Sequence, residues 1–147
     1  MKIVIVSDSH GNKEVLEKVV LMNQNADLFL HAGDSGLSVF ELHPFISVRG
    51  NCDYDHNLLN DLIVATPYGK LYLIHGHQSP LSIKYKMEEE NIKILVTGHT
   101  HIKRSELIDG IYLFNPGSIC LPRDSSDGSY LILEISDKDV KYIFNYL

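Results

Sequence analysis

The first third of the chain alternates short apolar runs with helical patterns. Lys2–Val6 is an apolar run of strand length, and Asn12 is a good N-cap for a helix over about Lys13–Asn23. The pattern then predicts a strand, a short helix and another strand, at Asp27–Ala32, Leu37–Leu42 and Ile46–Val48. This βαβαβ order favours parallel pairing with right-handed crossovers.

The rest of the chain has the pattern of hairpins. Asp109-Gly110 lies between two apolar runs and is a strong hairpin-turn signal. The strands predicted in this part are Ile63–Thr66, Lys70–Ile74, Ile92–Thr97, Lys103–Ile108, Ile111–Phe114, Ser129–Ile135 and Val140–Tyr146. A surface helix is predicted over Ser82–Asn91. Parallel strands followed by hairpins predict an α/β protein (α+β by some schemes), in which two mixed β-sheets pack as a sandwich with helices on the outer faces, an αββα arrangement.

Length and composition narrow the class of protein. With 147 residues, of which 44% are hydrophobic, the chain suits one folded domain over residues 1–147. No apolar run approaches the roughly 20 residues of a membrane span, and the start of the chain turns polar too soon for a secretory signal. We therefore expect a cytoplasmic protein with no membrane partner. A homo-oligomer is compatible with the sequence.

The charge balance limits the partners. A formal net charge of −6 argues against duplex nucleic acid, which needs a basic footprint on the protein. It leaves a small anionic substrate open, because bound divalent metals can invert the local field.

Five of the apolar runs end in side chains that can bind a metal. The segments that follow these runs are Ser7-Asp8-Ser9-His10, Gly33-Asp34, Gly50-Asn51-Cys52-Asp53, His75-Gly76-His77 and Gly98-His99-Thr100-His101. In α/β sheets, ligands bind beyond the carboxyl ends of strands. Three of the segments repeat a ligand–x–His spacing, and in an extended backbone residues i and i+2 point to the same side. Each such pair would therefore present two donors to one place.

The donors in these segments are four imidazoles, two carboxylates and an amide. The candidate ligands are Asp8, His10, Asp34, Asn51, His75, His99 and His101. This mixture suits Mn, Fe, Co, Ni or Zn better than an all-oxygen calcium site. Seven ligands are too many for one ion and suit two ions about 3.5–4 Å apart that share a carboxylate. Each segment alone is a common turn, but the joint pattern predicts a metal centre.

Taken in order, these motifs resemble those of the calcineurin-like metallophosphoesterase superfamily. The short length and Asn115-Pro116-Gly117-Ser118 resemble its small single-domain phosphodiesterase branch in bacteria and archaea. The resemblance implies two divalent metal ions as cofactors, with Mn expected first and Fe, Co, Ni or Zn as alternatives. It assigns the first metal to Asp8, His10, Asp34 and His101, and the second to Asp34, Asn51, His75 and His99, so that Asp34 would bridge.

The resemblance also implies the activity. Enzymes of this kind hydrolyse phosphoesters by attack of a hydroxide that bridges two metals, and the implied substrate is a small phosphodiester. A phosphomonoesterase or nuclease of the same superfamily is an alternative. A further alternative is a catalytically silent protein-interaction scaffold, because the superfamily includes a retromer subunit of similar appearance.

The expected catalytic residues are Asp34, Asn51, His77 and Asp53. Many members of the superfamily have His directly after the Asn ligand, where it can protonate the leaving group, whereas this chain has Cys52. A thiol with a pKa of about 8.5 is a poor acid for this purpose near pH 7. His77 is the alternative acid, or else it supports a ligand or has a structural role.

Three further side chains have open roles. Asp53 either holds a ligand through a hydrogen bond or is a simple turn residue. His31, inside a predicted strand, belongs to the core or supports a ligand. Arg49 either reaches a phosphate oxygen or forms a surface salt bridge, which is the commoner outcome.

Overall fold

The computed structural model describes residues 1–147 and contains ten strands and three helices. The strands are β1 (Lys2–Val6), β2 (Leu28–His31), β3 (Phe45–Ser47), β4 (Asp61–Thr66), β5 (Gly69–Ile74), β6 (Ile92–Val96), β7 (Lys103–Ile108), β8 (Ile111–Pro116), β9 (Ser129–Ile135) and β10 (Val140–Tyr146). The helices are α1 (Lys13–Met22), α2 (Val39–Leu42) and α3 (Pro80–Glu89). Every predicted element is present, with ends that differ by no more than a few residues.

The first sheet has the strand order β10-β9-β1-β2-β3. Strands β1, β2 and β3 are parallel to one another, as the βαβαβ pattern predicts. Helix α1 begins where expected, because the side chain of Asn12 accepts a hydrogen bond from the N–H of Val15 at 3.1 Å. The hairpin β9–β10 joins the same sheet, with β9 antiparallel to β1. The first sheet therefore unites the two ends of the chain.

The second sheet has the order β4-β5-β6-β8-β7. Its two hairpins are β4–β5 and β7–β8, and the second contains the turn that Asp109-Gly110 predicts. At the second turn, Asp109 and Gly110 have φ values of 52° and 77°, and two successive left-handed residues make a turn that matches the strand twist. Strands β5, β6 and β8 are parallel, so this sheet is mixed as well.

Apolar side chains form three buried clusters between these helices and sheets. Along β1, Ile3 and Ile5 face the second sheet, whereas Val4 and Val6 face α1 and α2, as the twofold periodicity of a strand requires. On the outer face of the second sheet, Tyr72 and neighbouring side chains pack against α3. The layers are thus helix, sheet, sheet and helix, which confirms the predicted αββα sandwich. None of the helices has the length and apolar character needed to cross a bilayer.

Six parallel strands deliver their carboxyl ends to one edge of the sandwich. In the first sheet these are β1, β2 and β3, and in the second they are β5, β6 and β8. The loops that follow five of these strands contain the candidate ligands. The contribution of β8 was not predicted, because its hairpin with β7 was expected but its parallel pairing with β6 was not.

Candidate metal centre

The predicted ligands from five loops converge at this edge. Nε2 of His101 lies 3.2 Å from Oδ1 of Asp8, and Nε2 of His75 lies 3.3 Å from Oδ2 of Asp34. Nε2 of His10 is 3.4 Å from Nε2 of His101. Segments that are far apart in sequence are therefore brought together as the strand-end pattern predicts.

Asn51 and His99 complete the ring of donors. Oδ1 of Asn51 lies 3.1 Å from Nε2 of His75. The ring of His99 lies 5.1 Å from the ring of His75, centroid to centroid. All seven candidate ligands thus belong to one constellation.

The donors form two groups that could each hold an ion. One group contains Asp8, His10 and His101, and the other contains Asp8, Asp34 and His75. Asp8 belongs to both groups, because its Oδ1 also lies 4.0 Å from Nε2 of His10 and from Nε2 of His75. The resemblance assigns the bridge to Asp34, so the geometry adds Asp8 as a second carboxylate between the two groups.

Backbone carbonyls fix the orientation of the two buried histidines. Nδ1–H of His75 donates to the carbonyl of Ala32 at 2.7 Å, and Nδ1–H of His101 donates to the carbonyl of Leu121 at 2.7 Å. This leaves Nε2 of each ring directed at the carboxylates. A ligating histidine in a protein typically has this arrangement, in which the outer hydrogen bond sets the tautomer.

One oxygen of each of the two carboxylates accepts hydrogen bonds from neighbouring groups of the protein. Oδ2 of Asp8 accepts hydrogen bonds from the hydroxyl of Ser7 and from the N–H of His99, and Oδ1 of Asp34 accepts from the N–H of Cys52 at 2.8 Å. Oδ1 of Asp8 is buried and has no hydrogen-bond partner. A buried carboxylate oxygen without a donor is costly, and imidazole nitrogens surround it. The residues at this edge therefore fit divalent metal ions.

The ionisation of these groups is consistent with a cation site. Burial raises the pKa of Asp34, but hydrogen bonds from His75 and the N–H of Cys52 outweigh this and hold the pKa well below its usual range. Burial lowers the pKa of His75, but its hydrogen bond with Asp34 outweighs this and raises the pKa. A proton on Nε2 and a metal ion would compete for the same place, so metal binding here would release protons.

The backbone of the ligand loops is not extended, which corrects one step of the sequence reasoning. Five candidate ligands have left-handed backbone conformations, namely Asp8 (φ 54°), His10 (φ 44°), Asp34 (φ 55°), His99 (φ 71°) and His101 (φ 61°). The ligand–x–His pairs converge through tight turns and not through strand alternation. Non-glycine residues in this conformation are strained by about 1–3 kcal/mol each, and such strain clusters at functional sites.

Neighbouring glycines let the loops approach the carboxylates. A Cβ atom at Gly50 would collide with Oδ1 of Asp34, and one at Gly98 would collide with the hydroxyl of Ser7 and lie 2.9 Å from Oδ2 of Asp8. Only glycine therefore allows the second sheet and the loop after β3 to close on the ligands.

Asp53 lies beside the ligands and holds the backbone of one of them. Its carboxylate is buried and accepts hydrogen bonds from the N–H groups of Gly50 (2.7 Å), Asp34 (2.9 Å) and Gly36 (2.9 Å). It joins the loop after β2 to the loop after β3. Of the two roles left open by the sequence, this geometry matches the one in which Asp53 positions a ligand.

His77 and Cys52 lie at the exposed side of the constellation. The ring of His77 is 5.4 Å from that of His75 and 6.3 Å from that of His99. Burial and the proximity of those two histidines lower the pKa of His77. The charge of Asp34, together with burial, raises the pKa of the Cys52 thiol, so this cysteine is not a reactive thiolate.

The loop after β8 supplies supports that the sequence reasoning did not identify. The amide of Asn115 donates to the carbonyl of Gly98 at 2.8 Å, and the hydroxyl of Ser118 donates to the carbonyl of Asp8 at 2.8 Å. The signal was available, because Asn115-Pro116-Gly117-Ser118 is a polar, glycine-containing segment directly after an apolar run, like the other five.

His31 supports the loop that carries Asp34. It is fully buried at the end of β2, where Nδ1 accepts the N–H of Gly33 at 3.1 Å and Nε2 therefore donates to the hydroxyl of Ser9 at 2.8 Å. Burial, followed by the proximity of His75, lowers the pKa of His31 to about 3. This histidine is thus a neutral ring that ties two ligand loops together.

Comparison with known proteins matches the chain to one family. The model described as the calcineurin-like phosphoesterase superfamily domain matches residues 1–138, a span that includes every candidate ligand. The chain is 36% identical over 145 residues to the probable metallophosphoesterase YsnB of Bacillus subtilis (strain 168), covering 93% of this chain and 86% of YsnB. It is 30% identical over 165 residues to phosphodiesterase YfcE of Escherichia coli (strain K12), covering 91% and 88% of the two chains.

A solved structure shares the same architecture. The crystal structure of a conserved Streptococcus pneumoniae protein, described as a predicted phosphoesterase, superposes with a TM-score of 0.87 at 30% identity. The alignment covers 97% of this chain and 87% of that one. The similarity therefore includes both sheets and the edge at which the ligands meet.

We predict that removing the charge of Asp8 abolishes stabilisation by metal. Excess Mn²⁺ should raise the melting temperature of the unaltered protein by about 5–10 °C at a hundredfold excess over Kd, since the ion binds the folded state only. Asp8→Asn should lose this rise, because Asp8 belongs to both groups of donors. Thermal melts with Mn²⁺ and with chelator measure the effect. The control is Asp137→Asn, at an exposed position, and an equal rise in both variants would contradict the assignment.

We also predict an acid-dependent loss of stability at His31. Its folded-state pKa of about 3 is below the unfolded value of 6.5, so the unfolded chain binds a proton that the folded protein excludes. The stability that neutral His31 contributes is complete above pH 6.5 and declines as the pH falls towards 3, by up to about 1.4 kcal/mol per pH unit.

Urea unfolding in chelator between about pH 7 and pH 5 tests this dependence. His31→Asn, which does not titrate, should show a shallower fall in unfolding free energy than the unaltered protein. His56→Asn, at an exposed position, is the control and should keep the original slope. Parallel curves for the protein and His31→Asn would refute the assignment.

Proposed function

Because the chain belongs to the calcineurin-like phosphoesterase superfamily, we propose that it is a phosphodiesterase that acts through two divalent metal ions, with Mn expected first. The substrate would be a small phosphodiester, and residues 1–147 would form a single catalytic domain. The observation that carries the proposal is the convergence of imidazoles on the unpartnered, buried Oδ1 of Asp8. A cytoplasmic location and self-association stay predictions.

The chain would hold the metals through two sets of donors that meet at the carboxylates. His10 and His101 would serve one ion, and Asn51, His75 and His99 the other, with Asp8 and Asp34 between them. When bound, divalent ions would lower the pKa of water and offset the charge that develops on the phosphoester oxygens.

The surrounding residues would keep this constellation in place. Asp53 fixes the backbone of Asp34, and Ser118 fixes that of Asp8. Such outer hydrogen bonds typically change metal affinity or activity by about 10–100-fold when removed. The proposed phosphodiesterase activity is supported by the similarity to YfcE, which is named a phosphodiesterase.

The leaving group would receive little help from the protein. Cys52 occupies the position where many members of the superfamily have histidine, and a thiol is a weak source of protons near pH 7. His77 is the alternative donor, and its ring lies near His75 and His99. Esters of acidic alcohols, which leave without protonation, should therefore be the better substrates.

We predict that the Mn-loaded protein hydrolyses an aryl phosphodiester faster than an alkyl phosphomonoester. Chelator should abolish this turnover, and Asp34→Asn should lower it by about 100-fold or more, because the carboxylate between the metals loses its charge. Asp137→Asn is the matched control. Faster hydrolysis of the monoester, or full activity of Asp34→Asn, would contradict the proposal. Stoichiometric metal without turnover of any ester would favour a scaffold instead.

Installing an imidazole at position 52 should widen the substrate range. We predict that Cys52→His raises kcat for alkyl phosphodiesters by about 10–100-fold, since a positioned general acid contributes about 10²–10⁴-fold. It should change the turnover of an aryl diester little, because an aryloxide is a stable anion that can leave without a proton. Cys52→Ser is the control for loss of the thiol. An equal gain on both classes of ester would show that the histidine acts in another way.

A further inference from the structure

A polar cavity opens directly beside the metal centre. It has a volume of about 580 Å³ and is lined by Arg49, Gly50, Asn51, Asn60, His77 and Gln78. None of these residues is hydrophobic. The cavity meets the metal centre at Asn51, whose Oδ1 lies 3.1 Å from Nε2 of His75. Its volume falls within the range of about 300–1,000 Å³ that is typical of small-ligand pockets.

Arg49 contributes a positively charged side chain to this cavity and forms no ion pair within the protein. The backbone N–H of Arg49 donates to the carbonyl of Leu59 at 2.6 Å, and the adjacent Val48 forms a β-bridge with Leu59. These contacts fix the backbone at Arg49. The side chain is partly buried and makes neither an ion pair nor a hydrogen bond. Arg104, by contrast, pairs with Glu106 at 2.8 Å. The surface salt bridge that is the usual fate of an arginine is therefore absent at Arg49.

Amide groups add further hydrogen-bond donors. Oε1 of Gln78 accepts the N–H of Gly76 at 3.1 Å, which leaves its NH₂ group for another acceptor. Asn60 contributes a second amide to the lining. Together with the five N–H donors of the Arg49 guanidinium, these groups make a wall that is rich in hydrogen-bond donors and contains no hydrophobic residue.

We propose that this cavity binds a second oxyanion of the substrate. The substrate would be a phosphodiester in which one alcohol moiety is small and hydrophilic and carries a carboxylate or phosphate group of its own. A guanidinium recognises such groups through two parallel hydrogen bonds. A nucleobase or acyl chain would find no hydrophobic side chain here on which to pack. This inference rests on the proposed function, because it assumes that the scissile phosphate lies at the metal centre.

The competing role for Arg49 is contact with the scissile phosphate itself. In that case its loss would weaken every phosphoester equally. In the proposed role, its loss weakens only those ligands that carry a second anion. Comparing ligands with and without that anion therefore separates the two roles.

Binding to the Mn-loaded protein, measured by calorimetry, provides the test. The probes are monophosphates that carry a carboxylate on spacers of increasing length, beginning with phosphoglycolate, and alkyl phosphates of matched length. A parallel series with a second phosphate distinguishes the two oxyanions. The variants are Arg49→Gln and Arg49→Lys, with Arg104→Gln as the control and thermal melts to verify folding.

We expect the best carboxylated or bisphosphorylated probe to bind about 10–100-fold more tightly than its alkyl counterpart. Arg49→Gln should remove this preference while leaving the affinity for alkyl phosphates and the turnover of a simple aryl diester unchanged within about threefold. Arg49→Lys should keep part of the preference, because the charge remains without the paired geometry. Arg104→Gln should keep all of it.

Two results would overturn the inference. One is the absence of any preference for the second anion in the unaltered protein, and the other is an equal loss for all phosphates in Arg49→Gln. If the protein preferred probes with a second anion through Arg49 but hydrolysed no ester, the inference about the cavity would hold and the proposed function would be refuted. If the protein hydrolysed phosphodiesters but showed no preference for a second anion, the proposed function would hold and the inference about the cavity would be refuted.

Discussion

The burial of two carboxylates without a cationic side chain is the constraint on which the rest of this structure depends. Asp8 and Asp34 are 0% and 3% exposed, and the side chains beside their oxygens are imidazoles, not lysine or arginine. Backbone N–H groups and a serine hydroxyl satisfy one oxygen of each. The other oxygen of Asp34 faces Nε2 of His75, whereas Oδ1 of Asp8 is buried without a hydrogen-bond partner, which is costly by itself and which a divalent cation would relieve.

The fold keeps this arrangement in place by anchoring every ligand loop to a parallel strand. The interior between the sheets is a continuous apolar layer to which β1, β5, β6, β8 and β9 all contribute. Such close-packed strands do not yield to the strain at their ends, so left-handed residues persist in the loops beyond them. Rigid strands thus set the distances in the metal centre, and Asp53 and Ser118 connect its loops to one another.

The two sides of the edge have different chemical characters. The candidate metal centre is rich in imidazole and its two carboxylates are buried, whereas the adjoining cavity is open, polar and carries the charge of Arg49. In a phosphoesterase, the first side would perform the chemistry and the second would select the alcohol moiety. Asn51 belongs to both sides, since it faces His75 and also lines the cavity.

The sequence by itself determined the order of the elements, the parallel opening of the first sheet and the set of candidate ligands. These features depend on local periodicity and on the polar residues that follow each apolar run, both of which near neighbours control. Asp8, His10 and His101 could therefore be identified as potential ligands before their proximity was known.

Only the tertiary structure decided which distant segments meet. The pairing of β9 with β1 and the hydrogen bond from Ser118 to Asp8 join residues more than a hundred positions apart, and no local pattern encodes them. The same holds for Arg49, whose sequence context is equally compatible with a salt bridge, and for Asp53, whose three N–H donors come from two loops. Such contacts depend on how the sheets pack, because loop geometry follows from the positions of the strands that support it.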